Sequence, residues 1–128
     1  MLAEETYDSY KIPFFLLIDQ SIETAEKVAG LKGSYFVPSH AVPGESIKEL
    51  ALFNADALRK IKSFIASIAD GRSFEGILEE ADRQWKLDYN PDKYTKVGIT
   101  VKGILQSLLD EKIFTADIEN SRLIYKKI

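Results

Sequence analysis

The chain has 128 residues, of which 45% are hydrophobic and 29% are charged, as is ordinary for one globular domain. Its net charge of −3 provides no basic field of the kind that nucleic-acid-binding proteins usually carry. The absence of cysteine excludes disulfides, thiolate metal sites and cysteine nucleophiles. No apolar run is long enough to cross a membrane and the acidic start is unlike a secretion signal, so we expect a soluble, cytoplasmic protein.

The first part of the chain predicts a strand, a helix and a second strand. Phe14–Ile18 is a continuous apolar run, typical of a strand that is buried on both faces. Asp19–Ser21 offers capping side chains for a helix that ends at Gly30 and Gly33. Tyr35–Val37 is a second short strand. These elements predict a βαβ unit, and because two strands do not make a stable sheet, a larger sheet is expected upstream.

A long helix is predicted from Ile47 to about Asp70, because apolar residues recur near a 3.6-residue period between Ile47 and Ile68. We expect about 24 residues and a length of about 36 Å, at about 1.5 Å per residue. Gly71 follows and suits the left-handed position after a helix. Such a helix is long enough for its first half to pack on the N-terminal unit while its second half opens the next domain.

Two further helices and a hairpin are predicted after the long helix. Ser73 is a suitable N-cap for a helix that ends near Trp85, and Asn90, which precedes a proline, starts a third helix. Two glycines weaken this third helix by about 1 kcal/mol each relative to alanine, so packing must hold it. The pattern of Ile113–Lys126 is typical of a hairpin. From about Asp56 onward, three helices and a hairpin follow the order of a winged helix.

His40 is the only histidine and comes directly after the second predicted strand. Loops beyond the carboxyl ends of strands are where α/β proteins build their sites, and an imidazole there is well placed to bind a metal. A single histidine on a loop is also common as a surface or structural residue. The pattern of residues alone leaves both interpretations open.

Three short segments resemble the end of the metallo-β-lactamase fold. They are Tyr10-Lys11-Ile12-Pro13-Phe14-Phe15, Asp19 with Ser21-Ile22-Glu23-Thr24-Ala25-Glu26-Lys27, and Pro38-Ser39-His40. In members of that superfamily with this layout, the histidine of the third segment is a metal ligand, and some bacterial members carry a C-terminal winged helix. One departure is Ala41, which stands where the family pattern usually has glycine.

The resemblance implies an α+β fold in two parts. Residues 1–45 would be the terminal βαβ segment of the metallo-β-lactamase fold, and residues 46–128 a long connecting helix plus a winged-helix domain. The chain would be the C-terminal part of a hydrolase that depends on zinc or another divalent metal, with His40 as the last metal ligand and the upstream catalytic half as its partner. The acidic Ala3–Thr6 segment suggests continuation from such an upstream part.

The same resemblance implies that this chain alone is inactive. The family's other ligands are an H-x-H-x-D-H motif, a further histidine and a bridging aspartate, and this sequence lacks that motif and has no second histidine. Catalytic zinc needs at least three protein ligands and an open position for water. Asp19 is interpreted as a helix cap and not as a replacement for the bridging aspartate.

A second interpretation is a free-standing winged-helix module that binds nucleic acid or protein. Six basic residues of the third helix and the wing are candidates for phosphate contacts: Lys93, Lys96, Lys102, Arg122, Lys126 and Lys127. From Leu87 onward, these six residues and Lys112 make seven basic residues. The same stretch has six acidic residues, so its net charge is nearly zero: Asp88, Asp92, Asp110, Glu111, Asp117 and Glu119. Gln106 is the only residue of the arginine, asparagine and glutamine group, which reads base edges, on the presumed recognition helix. We therefore favour a structural or partner-binding role over DNA recognition.

A third interpretation is a homo-oligomer. Two copies would associate through the exposed edge of the truncated sheet or through the long helix. No membrane partner is expected.

Overall fold

Five helices and three short strands make up the computed structural model, which describes residues 1–128, and the predicted α+β class is confirmed. The elements in chain order are α1 (Glu4–Tyr10), α2 (Ile18–Ala29), α3 (Lys48–Ile68), β1 (Arg72–Ser73), α4 (Phe74–Trp85), α5 (Pro91–Asp110), β2 (Phe114–Glu119) and β3 (Arg122–Lys127). The strands form one antiparallel sheet in the order β1-β3-β2.

The long helix α3 connects the two halves of the chain. Its 21 residues span about 32 Å, slightly less than predicted. One apolar face, which includes Leu58, Ile61 and Ile65, is buried, and α2, α4 and α5 all pack against this helix. Gly71 follows in the left-handed conformation with φ of 74°, as predicted. The expectation that α3 packs on both the N-terminal unit and the C-terminal helices is confirmed.

The starts of α4 and α5 were correctly predicted from their capping residues. Ser73 Oγ accepts a hydrogen bond from the backbone N–H of Gly76 at 3.2 Å, and Asn90 Oδ1 accepts one from Lys93 at 2.8 Å. Side-chain acceptors at these positions satisfy N–H groups that have no partner within the helix. The predicted hairpin also forms, with Ala116 opposite Tyr125. The order of three helices and a hairpin is confirmed, and β1 adds a third strand beside β3.

One hydrophobic core runs through the whole fold. It comprises 22 buried residues and joins Ile12, Ile18 and Ile22 from the N-terminal part to Leu58 of α3 and Phe114 of β2. No buried side-chain nitrogen or oxygen lacks a hydrogen-bond partner. The N-terminal segment therefore contributes to the same core as the C-terminal helices.

The predicted βαβ unit does not form, and both of its strands were wrong. Phe14–Leu17 is a loop, Ile18 is the first residue of α2, and Tyr35–Val37 contains only an isolated bridge between Phe36 and Gly44. A strand is stable only where neighbouring strands pair with its backbone, and the sheet expected upstream is not in this chain. Apolar composition alone could not supply those partners.

Helix α1 was not predicted, because only one of its seven side chains, Tyr7, is buried. The ring of Tyr7 lies edge-on to Phe53 of α3, with centroids 5.6 Å apart. A single buried residue leaves no helical apolar period in the sequence, so tertiary packing determines this element.

Candidate functional site

His40 lies in the loop between α2 and α3, where it forms an isolated parallel bridge with Leu2. Its carbonyl oxygen accepts a hydrogen bond from the backbone N–H of Ala3 at 3.2 Å. The residue as a whole is exposed. The N-terminal segment therefore holds the backbone of a histidine that is exposed as a residue.

The chain does not bring together a complete metal centre around His40. No group of three or more His, Cys, Asp or Glu side chains is placed to hold a metal ion. Catalytic zinc requires at least three protein ligands. His40 is therefore not part of a group of side chains that could hold a metal ion by itself.

Large exposed hydrophobic side chains are concentrated around His40 in the sequence. Eight of the 15 such residues in the chain lie between residues 10 and 42. We call them the N-terminal apolar surface: Tyr10, Phe14, Leu16, Leu17, Leu31, Tyr35, Val37 and Val42. They are exposed by between 49% and 85%, and they include the outward-facing residues of both segments that were predicted as strands. Three of them, Phe14, Leu16 and Leu17, line one shared cleft, and exposed apolar side chains that adjoin one another often mark a binding surface.

An open apolar cleft lies beside this surface, with a volume of about 480 Å³. Phe14, Leu16 and Leu17 of the loop form one wall, and Ala25 of α2 and Leu58 of α3 line the other.

A cluster of polar groups joins α2, α3 and α5. Lys62 Nζ of α3 donates hydrogen bonds to Asp19 Oδ1 of α2 at 2.7 Å, to Ser107 Oγ of α5 at 2.8 Å, and to Glu111 just beyond α5. Ser107 Oγ also donates to the second carboxylate oxygen of Asp19. The ammonium group is thus surrounded by three oxygen acceptors from two other helical segments.

This arrangement corrects the interpretation of Asp19 as a helix cap. The cap position of α2 is Leu17, which makes no capping side-chain hydrogen bond, and Asp19 lies inside the first turn. Burial by itself raises the pKa of Asp19, but hydrogen bonds from Lys62 and Ser107 and the charge of Lys62 lower it below its ordinary value. Asp19 prefers these tertiary partners because Lys62 provides a full positive charge, whereas a capping site offers only a backbone N–H.

The same contacts exclude a serine–lysine nucleophile pair. Burial by itself lowers the pKa of Lys62, yet its hydrogen bonds to Asp19 and Glu111, and their charges, raise it above the ordinary value. A lysine that activates a serine must be able to give up its proton near neutral pH. Because its pKa is raised, Lys62 stays protonated near neutral pH and cannot take a proton from Ser107. The cluster instead stabilises the packing of α2, α3 and α5.

Ion pairs already occupy two of the six basic residues considered for nucleic-acid contacts. Lys96 pairs with Asp92 at 2.9 Å, one turn away on α5, and Lys126 pairs with Glu119 across the hairpin. Lys127 lies at the exposed end of β3. Cations that face carboxylates at such distances neutralise part of the charge that phosphates would need.

The remaining basic residues do not form one surface either. Nine residues, or about 2.5 helical turns, separate Lys93 from Lys102, so their side chains leave α5 on opposite sides. Lys102 and Arg122 line a polar cavity of about 480 Å³, but Glu75 and Glu79 line the same cavity. The fold therefore distributes the six basic residues over several faces.

Asn54 is a buried polar residue that sequence reasoning missed. It is 3% exposed and lies on the apolar face of α3, three residues after Ala51 and four before Leu58. A signal was available, since an amide on the apolar face of an amphipathic helix predicts a buried group with specific hydrogen-bond partners. Those partners are distant in sequence and could not be named in advance.

Comparison of the chain with protein-family models, with curated proteins and with solved structures gave no match. None of the five helices is long and apolar enough to cross a membrane.

Proposed function

We propose that this chain is the C-terminal part of a metal-dependent hydrolase of the metallo-β-lactamase fold. In this proposal residues 1–45 pack on the catalytic half of the enzyme and supply His40 as one metal ligand. Residues 46–128 hold that segment in place through α3 and the shared core. The chain alone carries out no hydrolysis.

The N-terminal apolar surface is the observation that carries this proposal. Five of its eight residues lie in the two segments that were predicted as strands, namely Phe14, Leu16, Leu17, Tyr35 and Val37, although Ile18 at the end of the first segment is buried. Val37 and Val42, exposed by 74% and 85%, lie on either side of His40 in the sequence. A partner that covers these side chains would therefore also approach the imidazole. This is the relationship expected if the partner supplies the other metal ligands.

The C-terminal part is proposed to act through packing and not through nucleic-acid binding. Its core is continuous with that of the N-terminal segment, and its basic residues are dispersed and partly paired with carboxylates. A domain that is fixed to the segment carrying His40 is suited to shape the rim of an active site or a subunit interface.

The test is to combine this chain with the polypeptide encoded directly upstream of it, which the proposal requires to carry an H-x-H-x-D-H motif. We expect a one-to-one complex that binds zinc, measured by sedimentation and by metal analysis. His40→Ala should weaken zinc binding by about 100-fold or more, since even the loss of an outer-shell partner costs about 10- to 100-fold. Ser39→Ala, next to it on the same exposed loop, is the matched control and should have little effect.

Three results would contradict the proposal. The first is a complex whose zinc affinity is unchanged by His40→Ala. The second is stoichiometric, nanomolar zinc binding by this chain alone, which would mean that the site is complete without a partner. The third is a stable dimer of this chain that buries the N-terminal apolar surface and does not bind the upstream polypeptide.

A further inference from the structure

We propose that Asn54 is a positioning residue for His40. Its amide fixes the backbone of Leu2, and the Leu2 segment in turn fixes the backbone of the loop that carries the histidine. The consequence for metal binding rests on the proposed function, whereas the mechanical link between Asn54 and His40 does not.

The first step is the hydrogen bonding of the Asn54 amide. Oδ1 accepts from the backbone N–H of Leu2 at 3.0 Å and from the hydroxyl of Tyr7 at 2.8 Å. Nδ2 donates to the carbonyl of Leu2 at 2.9 Å and to that of Leu50 at 2.8 Å. The amide therefore uses both of its donors and two acceptor positions. Because the amide pairs with both the N–H and the C=O of Leu2, it makes the two backbone hydrogen bonds that a neighbouring strand would make to this residue.

The second step joins Leu2 to His40. The two residues form a parallel bridge, and the N–H of Ala3 donates to the carbonyl of His40 at 3.2 Å. Within the loop, the backbones of Phe36 and Gly44 pair with each other, and at its start Gly30 and Leu31 donate back to the end of α2. The bond from Ala3 thus ties the loop to a separate segment of the chain, and that segment is the one that Asn54 holds.

The hydrogen bonds of Asn54 account for an amide at this position. Leucine would match the apolar neighbours on α3, whereas a buried amide is costly unless all its polar groups are paired. Two of the four hydrogen bonds of Asn54 go to the peptide of Leu2. Tyr7, whose pKa is raised by burial, remains a hydroxyl donor to the same amide. The polar residue is thus explained by the peptide that it holds.

Nuclear magnetic resonance tests the link directly, because His40 is the sole histidine and its imidazole signals are unique in the spectrum. In Asn54→Leu we expect shifted backbone and imidazole signals of His40. We also expect hydrogen exchange of the Ala3 amide to be about tenfold faster or more, as the loss of one or two hydrogen bonds allows. Asn54→Asp keeps the acceptor for Leu2 but loses both donors, so it should produce an intermediate change.

Tyr7→Phe is the matched control. It removes one hydrogen bond to Asn54 but leaves both bonds to Leu2, so the signals of His40 and the exchange of Ala3 should stay as in the wild type. Exchange of core amides in α3 and α5 reports whether each variant is folded. Unchanged His40 and Ala3 signals in folded Asn54→Leu would overturn the inference. If that variant does not fold, the same result in Asn54→Asp would overturn it.

The metal arm separates this inference from the proposed function. In the complex with the upstream polypeptide, Asn54→Leu should weaken zinc binding by less than His40→Ala does. If Asn54→Leu moves the His40 signals while His40→Ala leaves zinc binding intact, the positioning link stands and only the proposed function fails.

Discussion

Lys62 of α3 donates to Asp19 of α2 at 2.7 Å, although 43 residues separate them in the chain. The side chain of Lys62 is 17% exposed and that of Asp19 is 46% exposed, so the pair is only partly shielded from water. Ser107 and Glu111 complete the set of acceptors around the ammonium group. This cluster connects the N-terminal helix that precedes the His40 loop to the last helix of the fold.

We expect Lys62→Met to lower the free energy of unfolding by about 1–2 kcal/mol. A hydrogen bond to a charged group contributes about 1.5–3 kcal/mol, which we reduce because both carboxylates are partly exposed. Methionine keeps the packing of the lysine stem and removes only the charge. Lys60→Met, at an exposed position of the same helix, should change the free energy by less than about 0.5 kcal/mol. Equal effects of the two variants in urea unfolding would contradict a stabilising role of the cluster.

Acid should weaken the same cluster. The pKa of Asp19 is lower in the folded protein than its ordinary value, so its stabilising effect is complete above about pH 4 and is lost as the pH falls through the folded pKa. Glu80 on α4 should also stabilise the fold less as the pH falls, because hydrogen bonds from Arg83 and Gln84 lower its pKa to about 2. We expect Asp19→Asn to be less stable than the wild type at neutral pH, with a difference that narrows below about pH 4. Urea unfolding from about pH 2 to pH 7 measures this difference in the free energy of unfolding. Asp8→Asn, at an exposed position, is the control.

The two glycines of α5 should respond in opposite ways to alanine. A Cβ atom at Gly103 would lie 2.6 Å from the carbonyl oxygen of Leu16, so the 14–17 loop would have to move. At Gly98 the nearest atom would be a ring carbon of Phe74 at 3.4 Å. We expect Gly103→Ala to destabilise the protein by about 1–3 kcal/mol through this clash. Gly98→Ala should be neutral or stabilise it by up to about 1 kcal/mol through helix propensity. Thermal unfolding that ranks the variants the other way would contradict this account of the loop.

The N-terminal apolar surface predicts substitutions that affect association but not folding. Leu16→Ser and Val37→Ser lie at positions exposed by 62% and 74%, so each should change the free energy of unfolding by less than about 0.5 kcal/mol. Each should weaken binding of the upstream polypeptide by about tenfold or more, since burial of such a side chain contributes about 1.5–3 kcal/mol. Ile118→Ser, on the hairpin and exposed by 69%, is the control outside this surface. Equal dissociation constants for all three variants, measured by calorimetry, would argue against this surface as the interface.

The sequence by itself determined the C-terminal part of this protein. The period of α3, the caps Ser73 and Asn90, and the alternating hairpin residues are signals that act within a few residues of one another. Their hydrogen bonds and apolar faces are local, so the pattern was sufficient to predict the three helices and the hairpin in their order, whereas β1 forms only through its pairing with β3.

Only the tertiary structure decided the N-terminal part and the contacts around it. Phe14–Ile18 has the composition of a buried strand, but no strand of the fold pairs with it, and α2 starts at Ile18 instead. Asn54 and Lys62 bind partners 52 and 43 residues away, and Ser107 reaches Asp19 across 88 residues. Which polar groups meet over such separations depends on how the helices pack, and no local pattern encodes that.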